Sequence, residues 1–140
     1  MDIKINTNAK DVAKRIGKKG KELSASVKKA LSITAQAGIN IIEARTSKGV
    51  GFKGGKFKKY TPLYAAFRVS RGRSANPDLQ FTGQMLSSMT SRSSSRQADI
   101  FFSRATESKK AAMNNIKRPF FGFNNREEKQ LSEVFFRALK

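Results

Sequence analysis

The 140-residue sequence contains no cysteine and no histidine. Without cysteine, the chain has no thiol nucleophile, no disulfide bond and no thiolate ligand for a metal. Without histidine, it lacks the side chain that enzymes use most often for proton transfer near neutral pH. These two absences argue against an enzyme, and we predict no catalytic residue.

Acidic residues are also few, with ten Asp and Glu against 29 Lys and Arg, for a formal net charge of +19. The carboxylates show no metal-ligand clustering, so we expect no metal site and no cofactor. A charge this large for the size of the chain indicates a nucleic acid, an anionic surface or an acidic protein as partner. A basic protein that is merely soluble is the less favoured interpretation, because the self-repulsion of so many like charges opposes compaction.

Long apolar runs are missing as well. No stretch approaches the roughly 20 apolar residues of a membrane-spanning helix, and the mixed, polar start Met1–Ile5 lacks the apolar segment of a secretory signal. We therefore expect no membrane partner, and a location in the cytoplasm or in a particle assembled there. The length fits a single domain, residues 1–140.

A long N-terminal helix is predicted by apolar residues that recur at helical spacing from about Ala9 to Thr46. Gly17 and Gly20 weaken its first third. The lysines on its opposite face fit a solvated surface and a surface that meets a polyanion equally well.

The remaining patterns predict short elements. Ile3 and Ile5 alternate with polar residues as in a strand, and the Thr61-Pro62 pair begins a helix with Thr61 as its cap. The other predicted elements are a short helix after Thr82, strands at Met89–Arg92 and Ala98–Ser103, and helices at Ala105–Asn115 and Arg126–Leu139. The predicted class is α+β, with the long N-terminal helix packed on a small antiparallel sheet, accompanied by short helices and a C-terminal helix.

The segment 47–59 is rich in glycine and lysine, and we predict a flexible basic loop there. Within it, residues 52–57 form a palindrome about Gly54-Gly55. A two-residue turn at these glycines would place Phe52 opposite Phe57 and Lys53 opposite Lys56. Facing lysines repel each other, and a phosphate or carboxylate partner would relieve that repulsion. A mobile, solvated loop is the equally weighted alternative.

Two glycine motifs suggest nucleotide or nucleic-acid chemistry. Gly49–Gly54 matches Gly-x-Gly-x-x-Gly, but no strand is predicted before it and no acid follows about 20 residues later, so we reject a dinucleotide site. Gly17-Lys18-Lys19-Gly20 looks like the Gly-x-x-Gly loop of KH domains, which clamps a single-stranded backbone. Most of the chain fits that fold poorly. A basic nucleic-acid-binding protein, KH-like or a general polyanion binder, is the alternative function.

Three phenylalanines lie close together in the block Arg118–Asn125, at Phe120, Phe121 and Phe123. Burial in the core is the usual fate of aromatic side chains. Three in four positions cannot easily all face one interior, so we predict that at least one is buried only at a contact within an assembly.

The order of several short blocks points to a family. Arg45-Thr46 is followed by the aromatic-Pro segment Phe57–Tyr64, then by Leu79–Ser88 with its central Thr-Gly, and finally by Arg118–Asn125. Over roughly residues 10–140 this order resembles the tail-completion, or virion morphogenesis, proteins of tailed bacteriophages. Many relatives carry a His-Asn-Glu-Gly-like stretch before the last block, where this chain reads Met113–Lys117. Any role of that histidine is therefore absent or replaced here.

The resemblance implies a structural virion protein without enzymatic activity, located at the phage neck or upper tail. It implies a homo-oligomeric ring, with a hexamer favoured, that completes the tail and joins it to the DNA-filled head while DNA passes through the lumen. The implied neighbours are head-closure or connector proteins and tail-terminator or tail-tube proteins, and no small-molecule substrate is expected.

With this role in view, we assign two sets of candidate residues. The set predicted to face DNA or an acidic partner is Lys53, Lys56, Lys58, Lys59, Arg68, Arg71 and Arg73. The set predicted to form the assembly interface is Phe52, Phe57, Phe120, Phe121 and Phe123.

Overall fold

The computed structural model describes residues 1–6 and 20–139. In chain order the elements are β1 (Asp2–Asn6), α1 (Gly20–Ser47), α2 (Pro62–Ser70), α3 (Gln84–Ser87), β2 (Met89–Ser93), β3 (Gln97–Phe102), α4 (Ala105–Lys117) and α5 (Asn125–Leu139). The predicted α+β class is confirmed. The first part of the predicted long helix and the KH-like residues 17–19 lie outside the described residues.

The sheet is antiparallel and has the strand order β1-β3-β2. Ile100 of the central strand lies opposite Ile3, and Phe102 lies opposite Met89. Ile100 and Phe102 share the face that the core covers, while Phe101 is only half-buried on the other face. This is the side-chain alternation that the sequence of the strand predicted.

Helix α1 packs against both the sheet and α5. Its buried apolar side chains follow helical spacing: Val27, Ala30, Leu31, Ala35, Ile39 and Ile42. Gly38 lies on the same buried face, and a Cβ there would come within 2.8 Å of the Phe123 ring. The missing side chain therefore lets the segment before α5 approach the helix closely.

The end of α1 is joined to the start of α5 through Arg45. This side chain is mostly buried, pairs with the Glu127 carboxylate, and donates from Nη2 to the carbonyls of Phe120 (2.6 Å) and Gly122 (3.0 Å). Asn124 caps α5, because its Oδ1 accepts the Glu127 N–H at 2.9 Å. Burial lowers the pKa of Arg45, and the charge of Glu127 opposes that shift. The Arg45–Glu127 pair thus connects the two main helices.

Three of the predicted assembly residues belong to the core of the subunit. Phe57, Phe120 and Phe121 are buried, and Phe121 packs against Phe102 with ring centroids 5.0 Å apart. Their predicted role at an assembly contact is corrected, because these rings are already buried in the hydrophobic core of the subunit. Phe52 and Phe123 are half-buried, and an assembly contact stays a prediction for these two.

The predicted hairpin register in the 47–59 segment is wrong. The bridge joins Val50 to Lys56, so Phe52 does not face Phe57. Tertiary contacts set this arrangement. The Phe52 N–H donates to Pro119 O (3.2 Å), and the Phe52 carbonyl accepts from Asn124 Nδ2 (3.0 Å). The Phe52 ring covers Gly122, while Phe57 turns into the core. The flexibility of this segment stays a prediction.

Candidate functional site

The candidate site lies on an uninterrupted basic segment. Between Glu43 and Asp78 the sequence has nine Lys and Arg and no acidic residue. Seven of these nine are exposed: Lys48, Lys53, Lys56, Lys58, Lys59, Arg71 and Arg73. Six of the seven basic residues predicted to face a partner are therefore on the surface, free of acidic neighbours in the sequence.

Arg68 is the exception. Its side chain is 1% exposed, and it donates to Asp78 (2.8 Å), Ser74 O (2.8 Å) and Gln80 O (3.3 Å). The prediction that Arg68 faces DNA or an acidic partner is corrected, since the guanidinium is enclosed by its own chain. Its function here is to hold α2 to the segment 74–80 that follows the helix.

Helix α2 is short and largely uncovered. Thr61 caps it by accepting the Tyr64 N–H, and Pro62 occupies the first turn, as predicted. Seven of its nine residues are exposed, including Leu63 at 85% and Val69 at 58%. With so few buried side chains, the helix depends on Arg68 for its attachment.

A row of aromatic rings continues the surface of α2. Phe67 stacks between Tyr64 (6.2 Å) and Phe81 (5.8 Å), measured between ring centroids. Arg71 lies 5.3 Å from the Phe67 centroid and Arg73 lies 5.9 Å from that of Phe81. Cations over ring faces are attracted by the ring quadrupole. We call this row, with Leu63, the α2 face; it is apolar at its centre and basic at its edge.

Tyr60 lies beside the α2 face, between two guanidinium groups. The Cζ atoms of Arg68 and Arg118 are 4.8 Å and 4.6 Å from its ring centroid. Arg118 donates from Nε to Lys58 O (2.7 Å) and from Nη2 to Lys59 O (3.2 Å). Neither Tyr60 nor Arg118 was predicted from the sequence as a site residue. The segment Phe57–Tyr64 and the block Arg118–Asn125 were both noted as motifs, but nothing in either sequence indicated that the two segments contact each other.

Burial raises the pKa of Tyr60, while the charges of Arg68 and Arg118 act to lower it, and Asp78 raises it further. A hydroxyl that ionises less readily in the folded state favours unfolding once the unfolded chain begins to lose that proton. Tyr60 therefore stabilises the fold fully below about pH 10 and loses this contribution as pH rises further.

We expect the free energy of unfolding to fall more steeply with pH in the wild type than in Tyr60→Phe once the pH exceeds about 10. The two slopes should differ by at most about 1.4 kcal/mol per pH unit, the value for one proton. Urea denaturation at a series of pH values from neutral to alkaline measures this difference. Tyr64→Phe is the matched control, because it removes the same hydroxyl from a tyrosine that is exposed. Parallel curves for wild type and Tyr60→Phe would contradict the prediction.

No protein-family model matches the chain, and no curated protein or solved structure matches it either. Among residues 1–6 and 20–139, no helix is both long and apolar enough to cross a membrane. Within the same ranges, no cluster of three or more His, Cys, Asp or Glu could hold a metal ion.

Proposed function

We propose that this chain is a structural, non-enzymatic virion protein at the neck or upper tail of a tailed bacteriophage. It forms a ring, with a hexamer favoured, that completes the tail and joins it to the DNA-filled head. The proposal starts from the ordered blocks at Arg45-Thr46, Phe57–Tyr64, Leu79–Ser88 and Arg118–Asn125, which resemble the tail-completion family.

The observation that carries the proposal furthest is the uncovered α2 face. Its apolar side chains are exposed beside a segment that has only basic charges. Apolar patches rimmed by polar residues are typical of protein interaction sites. In a ring, one such face on each subunit meets a different surface of the next subunit, and the contact repeats until the ring closes. The α2 face is the surface we assign to that contact.

The exposed lysines of the loop and the two arginines after α2 have a separate role in this proposal. Lys53, Lys56, Lys58 and Lys59 lie along the same acid-free segment as Arg71 and Arg73. Where these residues face the lumen, they contact DNA. Where they face an adjacent ring, they contact the acidic surface of a head-closure, connector, tail-terminator or tail-tube protein. Either contact reduces the repulsion within a chain of net charge +19.

Electron microscopy of lysates from a phage with this gene disrupted tests the proposal. We expect filled heads and separate tails that fail to join, because the ring that connects them is missing. Complementation with the intact gene should restore joined, infectious particles. Normal infectious particles without the gene would contradict the proposal, and a basic nucleic-acid-binding protein would then become the leading interpretation.

Complementation with charge variants tests the role of the loop in the same experiment. Lys53→Glu with Lys56→Glu should give a lower particle yield and poorer DNA retention than the intact gene. The matched control is Lys109→Glu with Lys129→Glu, which makes the same change in net charge at exposed positions on α4 and α5. Equal yields from the two double variants would remove the loop from the contact with DNA or an acidic partner.

A further inference from the structure

A recess beside the α2 face has features of a binding site. Its volume is about 350 Å³, and the residues that line it include Tyr60, Tyr64, Leu79 and Phe81 together with Arg68 and Arg118. Both arginines are at least nine-tenths buried, at 1% and 9% exposed. The recess therefore combines apolar lining residues with two arginine side chains that are mostly buried.

The charges in this recess are unbalanced. Arg68 pairs with the Asp78 carboxylate, whereas no carboxylate pairs with Arg118 among residues 1–6 and 20–139. Charges buried in proteins are normally paired, because removing an ion from water is costly. One guanidinium charge in the recess thus has no carboxylate partner among the described residues, and it suits an added anion.

Hydrogen-bond donors are also available there. Arg118 uses its Nε and Nη2 groups on the carbonyls of Lys58 and Lys59, and its Nη1 group donates to nothing within the described residues. The Tyr60 hydroxyl accepts the Leu79 N–H at 3.3 Å, which leaves the hydroxyl proton for a second acceptor. The two side chains are neighbours, with Arg118 Cζ 4.6 Å from the Tyr60 ring centroid, and each has a donor left for an anionic group.

We propose that this recess binds the carboxylate of a glutamate or aspartate side chain from a partner protein. Arg118 supplies the charge and the Nη1 donor, and the Tyr60 hydroxyl supplies a second donor. Arg–carboxylate hydrogen bonds are among the stronger ones in proteins. The aromatic walls cover the methylene groups that carry the carboxylate. The inference does not require the proposed neck function.

The same features favour a side-chain carboxylate over a nucleic-acid phosphate. Guanidinium groups bind phosphate as well as carboxylate, but a backbone phosphate is flanked by a sugar on each side, and these must stay outside the recess. The exposed Lys53, Lys56, Lys58 and Lys59 reach a phosphate backbone without that restriction. A carboxylate at the end of a flexible side chain can enter the recess alone.

Intrinsic fluorescence tests this proposal, because the chain has no tryptophan and its two tyrosines both line the recess. The Tyr64→Phe variant leaves Tyr60 as the sole reporter. It is titrated at constant ionic strength with N-acetylglutamic acid α-amide, with the neutral N-acetylglutamine amide, with inorganic phosphate, and with a short DNA duplex. We expect a saturable change in tyrosine emission with the glutamate derivative and none with the glutamine derivative.

Variants in the same background assign the effect to its residues. Arg118→Gln should weaken binding by about tenfold or more, because it removes a charged donor. Arg126→Gln, an exposed arginine at the start of α5, should leave binding unchanged. If circular dichroism shows that Arg118→Gln is unfolded, Tyr60→Phe in the otherwise wild-type chain replaces it, with Tyr64 as the reporter and weaker binding than in the wild type expected.

Several outcomes would overturn the proposal. These are the absence of a saturable change, an equal response to the glutamine derivative, tighter binding of phosphate than of the glutamate derivative, and unchanged binding in a folded Arg118→Gln or Tyr60→Phe variant. Binding of DNA that displaces the glutamate derivative and is weakened by Arg118→Gln would reassign the recess to the nucleic-acid backbone.

Discussion

Arg45→Met is expected to lower the free energy of unfolding by about 3–5 kcal/mol, the usual cost of removing one partner of a buried ion pair. The substitution leaves the Glu127 carboxylate mostly buried without its partner, and it removes the donors to the Phe120 and Gly122 carbonyls. Those carbonyls lie in the segment that brings α5 against α1. Urea or thermal denaturation followed by circular dichroism measures the change.

Two controls separate the ion pair from other effects of this substitution. Arg137→Met removes the same charge from an exposed position on α5, so any gain from reduced self-repulsion is common to both variants. The double variant Arg45→Met with Glu127→Leu should recover part of the loss, because no unpaired carboxylate then remains buried. A loss in Arg45→Met no larger than in Arg137→Met would show that the pair does not stabilise the fold.

The sequence predicted those parts of the fold whose signals are local or periodic. The spacing of Leu31, Ala35 and Ile42 defines the buried face of α1, and the Thr61-Pro62 pair marks the start of α2. Alternation in β3 correctly separated the Ile100 side from the Phe101 side. In each case, the residues that form the sequence pattern are themselves in the structural contact, or lie within one helical turn of it.

The errors arose where distant segments decide the outcome. The palindrome at 52–57 favours a symmetric hairpin, but bonds from Phe52 to Pro119 and Asn124, about 70 residues away, impose another register. Phe120 and Phe121 lack a strand or helix period, so nothing in the block itself showed that both would be buried in the core of the subunit.

Basic residues were the hardest to assign because charge alone does not show whether a side chain is buried. Arg45, Arg68 and Arg118 occur in basic surroundings in the sequence, yet each bonds to backbone carbonyls inside the fold. Guanidinium groups suit this use, since they offer five donors in a fixed plane. The lysines of the loop are exposed instead. The candidate surface therefore consists of the loop lysines together with Arg71 and Arg73. Arg45, Arg68 and Arg118 instead make structural contacts within the fold.

Arg68→Met is expected to lower the free energy of unfolding by about 3 kcal/mol, the lower end for a broken buried pair, because Asp78 keeps partial access to solvent. The larger effect should be local. Helix α2 buries few of its own side chains, and Arg68 ties it to Ser74, Asp78 and Gln80. Without those bonds, we expect hydrogen exchange across Pro62–Ser70 to accelerate more than exchange in α1 or β3.

Arg71→Met provides the matched control, because Arg71 follows the same helix but is exposed and only covers the Phe67 ring. It should cost no more than about 1 kcal/mol, the usual size of an exposed cation–π contact, and leave exchange in α2 nearly unchanged. Arg68→Lys should resemble Arg68→Met, since an ammonium cannot reproduce the three directed bonds of the guanidinium. If hydrogen exchange in α2 is as slow in the Arg68→Met variant as in the wild type, then the aromatic row, rather than the buried arginine, attaches this helix to the subunit.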